Sequence, residues 1–158
     1  MKKRKLLGIP VMVALVFGMM VVGCGGGSGS GGRDINAFDL MNLNTGAPTP
    51  NALSTGGLTP EQFTEIRNST GGGFQGWFID DGELIMVWSG RSRFQFESAA
   101  GVLRDFFDGT PPRFDDEDGV WYSFGAGFDI VFFPTRFVYD GIYTPAGTLF
   151  LHLWDYRD

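Results

Sequence analysis

The sequence predicts an α+β domain, an antiparallel β-sheet of about six or seven strands with two helices packed on it, in the order α-βββ-α-ββββ. Three observations carry this expectation: two segments have helix-cap residues and a helical apolar period, seven short runs have strand composition, and the connections between runs are short. A β-sandwich or a partly open barrel with the same two helices fits the runs as well, because 16 phenylalanines need buried faces.

The first helix opens at Leu58. Thr59 is placed to cap it, Pro60 suits the first helical position and Gln62 completes a capping box. Leu58 and Phe63 occupy the hydrophobic-staple positions, and Phe63 and Ile66 face inward until Gly71-Gly72-Gly73 ends the helix. Phe74 to Ile79 and Glu83 to Trp88 flank Asp80-Asp81-Gly82, the pattern of a β-hairpin. The second of these runs is apolar on both faces and so belongs at the centre of the sheet. Arg93-Phe94-Gln95-Phe96-Glu97 alternates strictly and reads as a strand with both phenylalanines inward. Ser98 then caps the second helix, on which Ala99, Val102, Leu103, Phe106 and Phe107 form one apolar stripe. Asp108-Gly109 and Pro111-Pro112 stop it. Strand runs recur at Val120–Phe124, Phe128–Phe133, Arg136–Tyr139 and Thr148–Tyr156, with Asp140-Gly141 as a second hairpin-type turn.

The chain ahead of this region is organised differently. Lys2, Lys3, Arg4 and Lys5 precede an almost unbroken apolar run from Leu6 to Val22, the form of a secretory signal. Val21-Val22-Gly23-Cys24 closes the run. These first residues resemble the signal peptide and lipobox of bacterial lipoprotein precursors. The resemblance implies cleavage before Cys24, lipid on its thiol, and attachment of the mature chain to a membrane. A signal read as residues 1–23 is therefore followed by a tether, residues 24–57, and by one globular domain, residues 58–158. Within the tether, Gly25 to Gly32 is glycine and serine alone, and Ile35 to Leu43 is apolar enough to dock as a short helix. A leash of that length leaves the domain floating near the bilayer.

Charge narrows the partners. The first 23 residues hold four of the 12 basic residues, while all 18 acids lie beyond Cys24. The mature chain thus sets eight arginines against 18 acids, a balance of −10. Nucleic acid, which needs a basic footprint, and anionic headgroups are both disfavoured. Membrane attachment is left to the lipid. Gly25 is not the aspartate that retains enteric lipoproteins at the inner membrane, so the outer membrane is favoured. Cys24 is the single cysteine, so no disulfide forms within the chain and packing alone holds the domain.

Candidate sites follow from residue chemistry. Phe150, Trp154 and Tyr156 share one face of the last run, opposite its leucines, and together with Trp121 they are the expected ligand-contacting rings for a glycan or small molecule. Asp115, Asp116 and Asp118 are the candidate cation ligands in an acidic loop that otherwise reads as a solvated turn. His152 is the only histidine and reads as a half-buried strand residue, and Asp129, inside an apolar run, reads as outward-facing. No catalytic set is assembled and no cofactor is expected. The leading functional expectation is a lipid-anchored envelope domain that binds a protein or glycan partner. A carboxylate-dependent hydrolase stands behind it.

Overall fold

The computed structural model describes residues 35–109, 111–115, 119–124, 127–139 and 141–154. In chain order the elements are β1 (Ile35–Asn36), α1 (Ala37–Leu40), α2 (Pro50–Thr55), α3 (Pro60–Thr70), β2 (Phe74–Asp80), β3 (Glu83–Trp88), α4 (Arg93–Phe107), β4 (Arg113–Asp115), β5 (Val120–Phe124), β6 (Phe128–Phe133), β7 (Phe137–Tyr139), β8 (Ile142–Thr144) and β9 (Thr148–Leu153). Six strands form an open antiparallel sheet in the order β2-β3-β9-β6-β5-β4, and β1-β8-β7 form a smaller sheet in which β1 runs parallel to β8. The fold is α+β, with no closed barrel among the described residues.

Local chemistry accounts for most elements. In α3 the Thr59 and Gln62 side chains satisfy each other's backbone amides, and Gly71 closes the helix. Asp81 and Gly82 both take positive φ, 46° and 80°, the geometry that lets a two-residue loop match the twist of β2 and β3. Strand β9 lies between β3 and β6, and its leucines and its Phe150 point to opposite faces. The leucine face packs under α2, α3 and α4, with Leu53, Phe63, Ile66, Phe96 and Leu103 buried against Met86, Trp88 and Ile130. Phe96 stands between Tyr122 and Phe132, with centroid distances of 5.6 and 5.5 Å.

The structure corrects the segment after β3. Arg93–Glu97 is the first turn and a half of α4, not a strand. Ser92 caps it and Gln95 returns the bond to the Ser92 amide, so the cap lies six residues before the expected one at Ser98. Phe96 is buried as expected, but Phe94 is 80% exposed, because on a helix residues i and i+2 do not share a face. Strands β4 and β8, three residues each, are too short to show a period and were not anticipated.

The second correction concerns the tether. Residues 35–57, assigned by composition to a leash, are part of the fold. Leu53 of α2 is 1% exposed in the main core. Ahead of it, Phe38, Met41 and Leu43 lie across the second face of the large sheet, on Ile85, Val87, Val131, Phe133 and Phe150. This strap reaches the sheet edge at Asn44, whose amide and carbonyl pair with Trp77 at 2.8 and 3.1 Å. The chain then passes to the other face to form α2 and α3. A short helix within Ile35–Leu43, expected from its apolar character, is present as α1.

Candidate functional site

The second sheet face carries a polar row. Strand register sets Ile85, His152, Asp129 and Ser123 side by side across β3, β9, β6 and β5. His152 is 8% exposed, and its Nε2 donates to Oε2 of Glu83, two residues along β3 from Ile85. The imidazole is therefore buried rather than half-buried. Its Nδ1 is buried with no hydrogen-bond partner among the described residues. Trp154 meets the imidazole edge-on, with centroids 5.2 Å apart. Asp129, read as outward-facing, lies on this partly covered face directly opposite His152.

The order of that row decides its chemistry. Neighbouring strands are about 4.8 Å apart, so Ser123 and His152 are separated by about 9.6 Å with Asp129 between them. A nucleophilic relay needs the imidazole between hydroxyl and carboxylate. Here the carboxylate holds the middle position. The Glu83–His152 contact ties β9 to β3, and the order of the row does not place the imidazole between a hydroxyl and a carboxylate.

A second polar group lies where α4 crosses β4 and β5. Tyr122 is 5% exposed and donates its hydroxyl proton to Oε2 of Glu97 at 2.6 Å. Glu97 also pairs with Arg113 at 3.2 Å, and Asp115 pairs with Arg113 and Arg93 at 2.9 and 3.4 Å. Arg104 lies over the Tyr122 ring, 4.3 Å from its centroid. Burial, followed by the hydrogen bond to Glu97, pushes the Tyr122 phenol above its usual value of 10.0, with Arg104 opposing. Arg93 and Arg113 pair with Asp115 and Glu97, Arg104 adds a third positive charge on the Tyr122 ring, and the group links α4 to the β4 edge.

The rings singled out by sequence are dispersed. Phe150 is 7% exposed and edge-on to Phe133, so it is core and offers no platform. Trp121 is half-buried and stacked on Phe114, with centroids 5.4 Å apart. Trp154 is half-buried beside His152. By register Trp121 aligns with Phe150 whereas Trp154 lies four residues further on, just past the end of β9, so the two indoles belong to different ends of the face. Tyr156, Asp116, Asp118 and Cys24 lie outside the described residues. Asp115 faces arginines, and among the described residues no three His, Cys, Asp or Glu side chains are grouped to hold a metal ion. Glu83 is the polar residue that sequence reading missed. Only the β3–β9 pairing, 69 residues apart, brings it to His152.

No protein-family model matches the chain, and no curated protein or solved structure is significantly similar to it. Among the described residues no helix is long and apolar enough to cross a membrane.

Proposed function

We propose that the protein is exported, anchored by lipid on Cys24 to the bacterial envelope, with the outer membrane favoured, and that its domain works by binding an envelope protein or glycan rather than by catalysis. The observation that carries this reading is how closely the fold follows the anchor. The Ile35 amide already donates to the Gly141 carbonyl at 3.1 Å, 11 residues beyond Cys24. A glycine-rich chain of that length has a root-mean-square reach of about 17–20 Å, which keeps the domain at the membrane and restricts its partners to what lies there. Glu83, Glu97 and Asp115 are held by histidine, tyrosine or arginine partners, an arrangement that suits a rigid binding scaffold.

The test is mass spectrometry of the protein from a bacterial host, beside a Cys24→Ala variant. The expected result is a chain beginning at Cys24 with acyl mass on it, in the membrane fraction, and a Cys24→Ala chain without that mass. An intact Met1 and a bare thiol in the native protein would refute the reading.

A second reading has its own observation. Trp121, stacked on Phe114, and Trp154 keep part of their rings exposed on the same face, which is the chemistry of sugar stacking. Titration of envelope oligosaccharides against tryptophan emission tests it, and an unchanged spectrum removes it.

A further inference from the structure

We infer that Asp80 and Glu83, paired at the turn of the β2–β3 hairpin, form a site for a primary ammonium group on an aliphatic stem, as carried by the lysine of a partner protein. The inference rests on the reading of the domain as a binding module and names the group that it grips; it does not depend on the lipid anchor. The two residues flank the Asp81-Gly82 turn and are direct cross-strand partners. Phe78 and Ile85, each two positions further from the turn, also pair with each other and pack on the second face of the sheet. Strand alternation therefore sets both carboxylates on that face.

The pair is electrostatically incomplete. Directly opposed residues on antiparallel strands hold their Cβ atoms about 4.5–5.5 Å apart, and like charges there repel. Glu83 is partly relieved, because it accepts from Nε2 of His152, and its side chain remains 38% exposed. Asp80 has no such relief. It is 6% exposed, its Oδ1 is buried with no hydrogen-bond partner, and no arginine pairs with it among the described residues. A buried carboxylate without a donor has lost its hydration and gained nothing in its place. One cation between the two residues screens the repulsion and supplies the donor that Asp80 lacks. The exposed side of Glu83 gives it a way in.

The class of cation follows from the acceptors and from what flanks them. Among the described residues no third His, Cys, Asp or Glu is grouped with this pair to complete a metal site, and a hard divalent ion wants several oxygens. A guanidinium is a rigid planar fork suited to a single carboxylate, whereas an ammonium directs three donors from one point and can bridge two. Phe78 and Ile85 lie beside the carboxylates on the same face, which gives a methylene stem apolar surface to rest on. The chain has no lysine beyond Lys5, so the ammonium comes from outside the domain. The balance of −10 beyond Cys24 draws it in.

The experiment uses the full chain as a bacterial host produces it, in detergent micelles and without a histidine tag. His152 is then the only imidazole, and its ring-proton NMR signal reports on Glu83. At fixed pH and ionic strength, n-butylammonium is expected to move that signal to saturation, while n-butanol and sodium are not. Asp80→Asn and, separately, Glu83→Gln are each expected to weaken the response at least about tenfold, and Glu61→Gln on α3 to leave it unchanged. Without amine, Asp80→Asn is expected to melt no lower than wild type, because the amide can donate to Glu83. A signal that does not move, that moves equally with butanol, or that still saturates in Asp80→Asn overturns the inference. Tighter binding of calcium assigns the pair to a metal ion, and tighter binding of glucosamine to a sugar-borne amine; either overturns it as well. A lower melt of Asp80→Asn shows that the carboxylate has a partner within the fold and removes the premise. None of these results bears on acyl mass at Cys24, so the anchor stands or falls separately.

Discussion

Individual side chains divide the labour of this fold unevenly, and neighbours in sequence differ by kilocalories. Phe94 and Phe96 are two residues apart, one in water and the other stacked between Tyr122 and Phe132. Phe96→Ala is expected to destabilise the domain by about 3–5 kcal/mol, and Phe94→Ser to change stability by no more than about 0.5 kcal/mol, both read from urea unfolding. Equal effects would restore the alternating strand read from the sequence. Tyr122 gives a pH test. Its phenol is held above the ordinary value, so folded and unfolded chains are both neutral below about pH 10 and this stabilisation is fully present there. As pH rises beyond that value the unfolded chain ionises first, and stability is lost up to the folded value. Tyr122→Phe removes this component of alkaline destabilisation, so the gap in melting temperature between wild type and variant is expected to narrow from pH 9 to pH 11. Below pH 9 the variant is expected to be about 1 kcal/mol less stable, for the hydrogen bond to Glu97. A constant gap across that range would show that the phenol does not titrate with unfolding.

At the scale of elements, some caps and turns whose chemistry is confined to a few residues were legible, while the Thr49-Pro50 cap of α2 was passed over inside the segment assigned to the leash. Thr59-Pro60 with Gln62, and Asp81-Gly82, each specify one local geometry, and the structure has both. The misread element shows the limit of that logic. Arg93–Glu97 satisfies the strand period, but Ser92 and Gln95 satisfy the helix cap at the same positions, and a cap that completes two backbone bonds on a 15-residue helix outweighs five residues of alternation. Ser92→Ala is expected to cost about 1 kcal/mol, and Ser98→Ala, at the cap position first read from the sequence, markedly less. Thermal melts of the two variants side by side decide between the two starts. The polar row was illegible for another reason. Its order, Ile85, His152, Asp129, Ser123, exists only once β9 has entered between β3 and β6, and no short window of sequence contains that information.

Across the whole molecule, composition misjudged the boundary between leash and body. Asn, Thr, Gly and Pro dominate residues 42–57 and show no sustained period, yet burial there comes from single residues: Leu43 on one face, Leu53 and Leu58 on the other, and Asn44 pairing at the edge between them. Irregular backbone gains its order from the surface it crosses, and the sequence supplies no signal for that surface. The strap is nonetheless built in. A Cβ on Gly76 would lie 2.7 Å from the Asn44 carbonyl and 2.8 Å from Leu43 Cβ, so the sheet edge is shaped to receive the crossing chain. Truncation separates the two readings of the boundary. A chain beginning at Ile35 is expected to melt within a degree or two of a chain beginning at Cys24, since the strap and both sheets are complete. A chain beginning at Thr45 uncovers Phe150, Val131 and Val87 beneath Phe38, Met41 and Leu43, and is expected to melt markedly lower and to bind a hydrophobic dye. Gly76→Ala in the chain beginning at Cys24 is expected to move both readouts the same way by a smaller amount, because the clash is with backbone and with a Cβ that cannot rotate aside. If the chain starting at Thr45 melts like the one starting at Ile35, the strap is not part of the cooperative fold, and the leash returns to the length that composition assigned it.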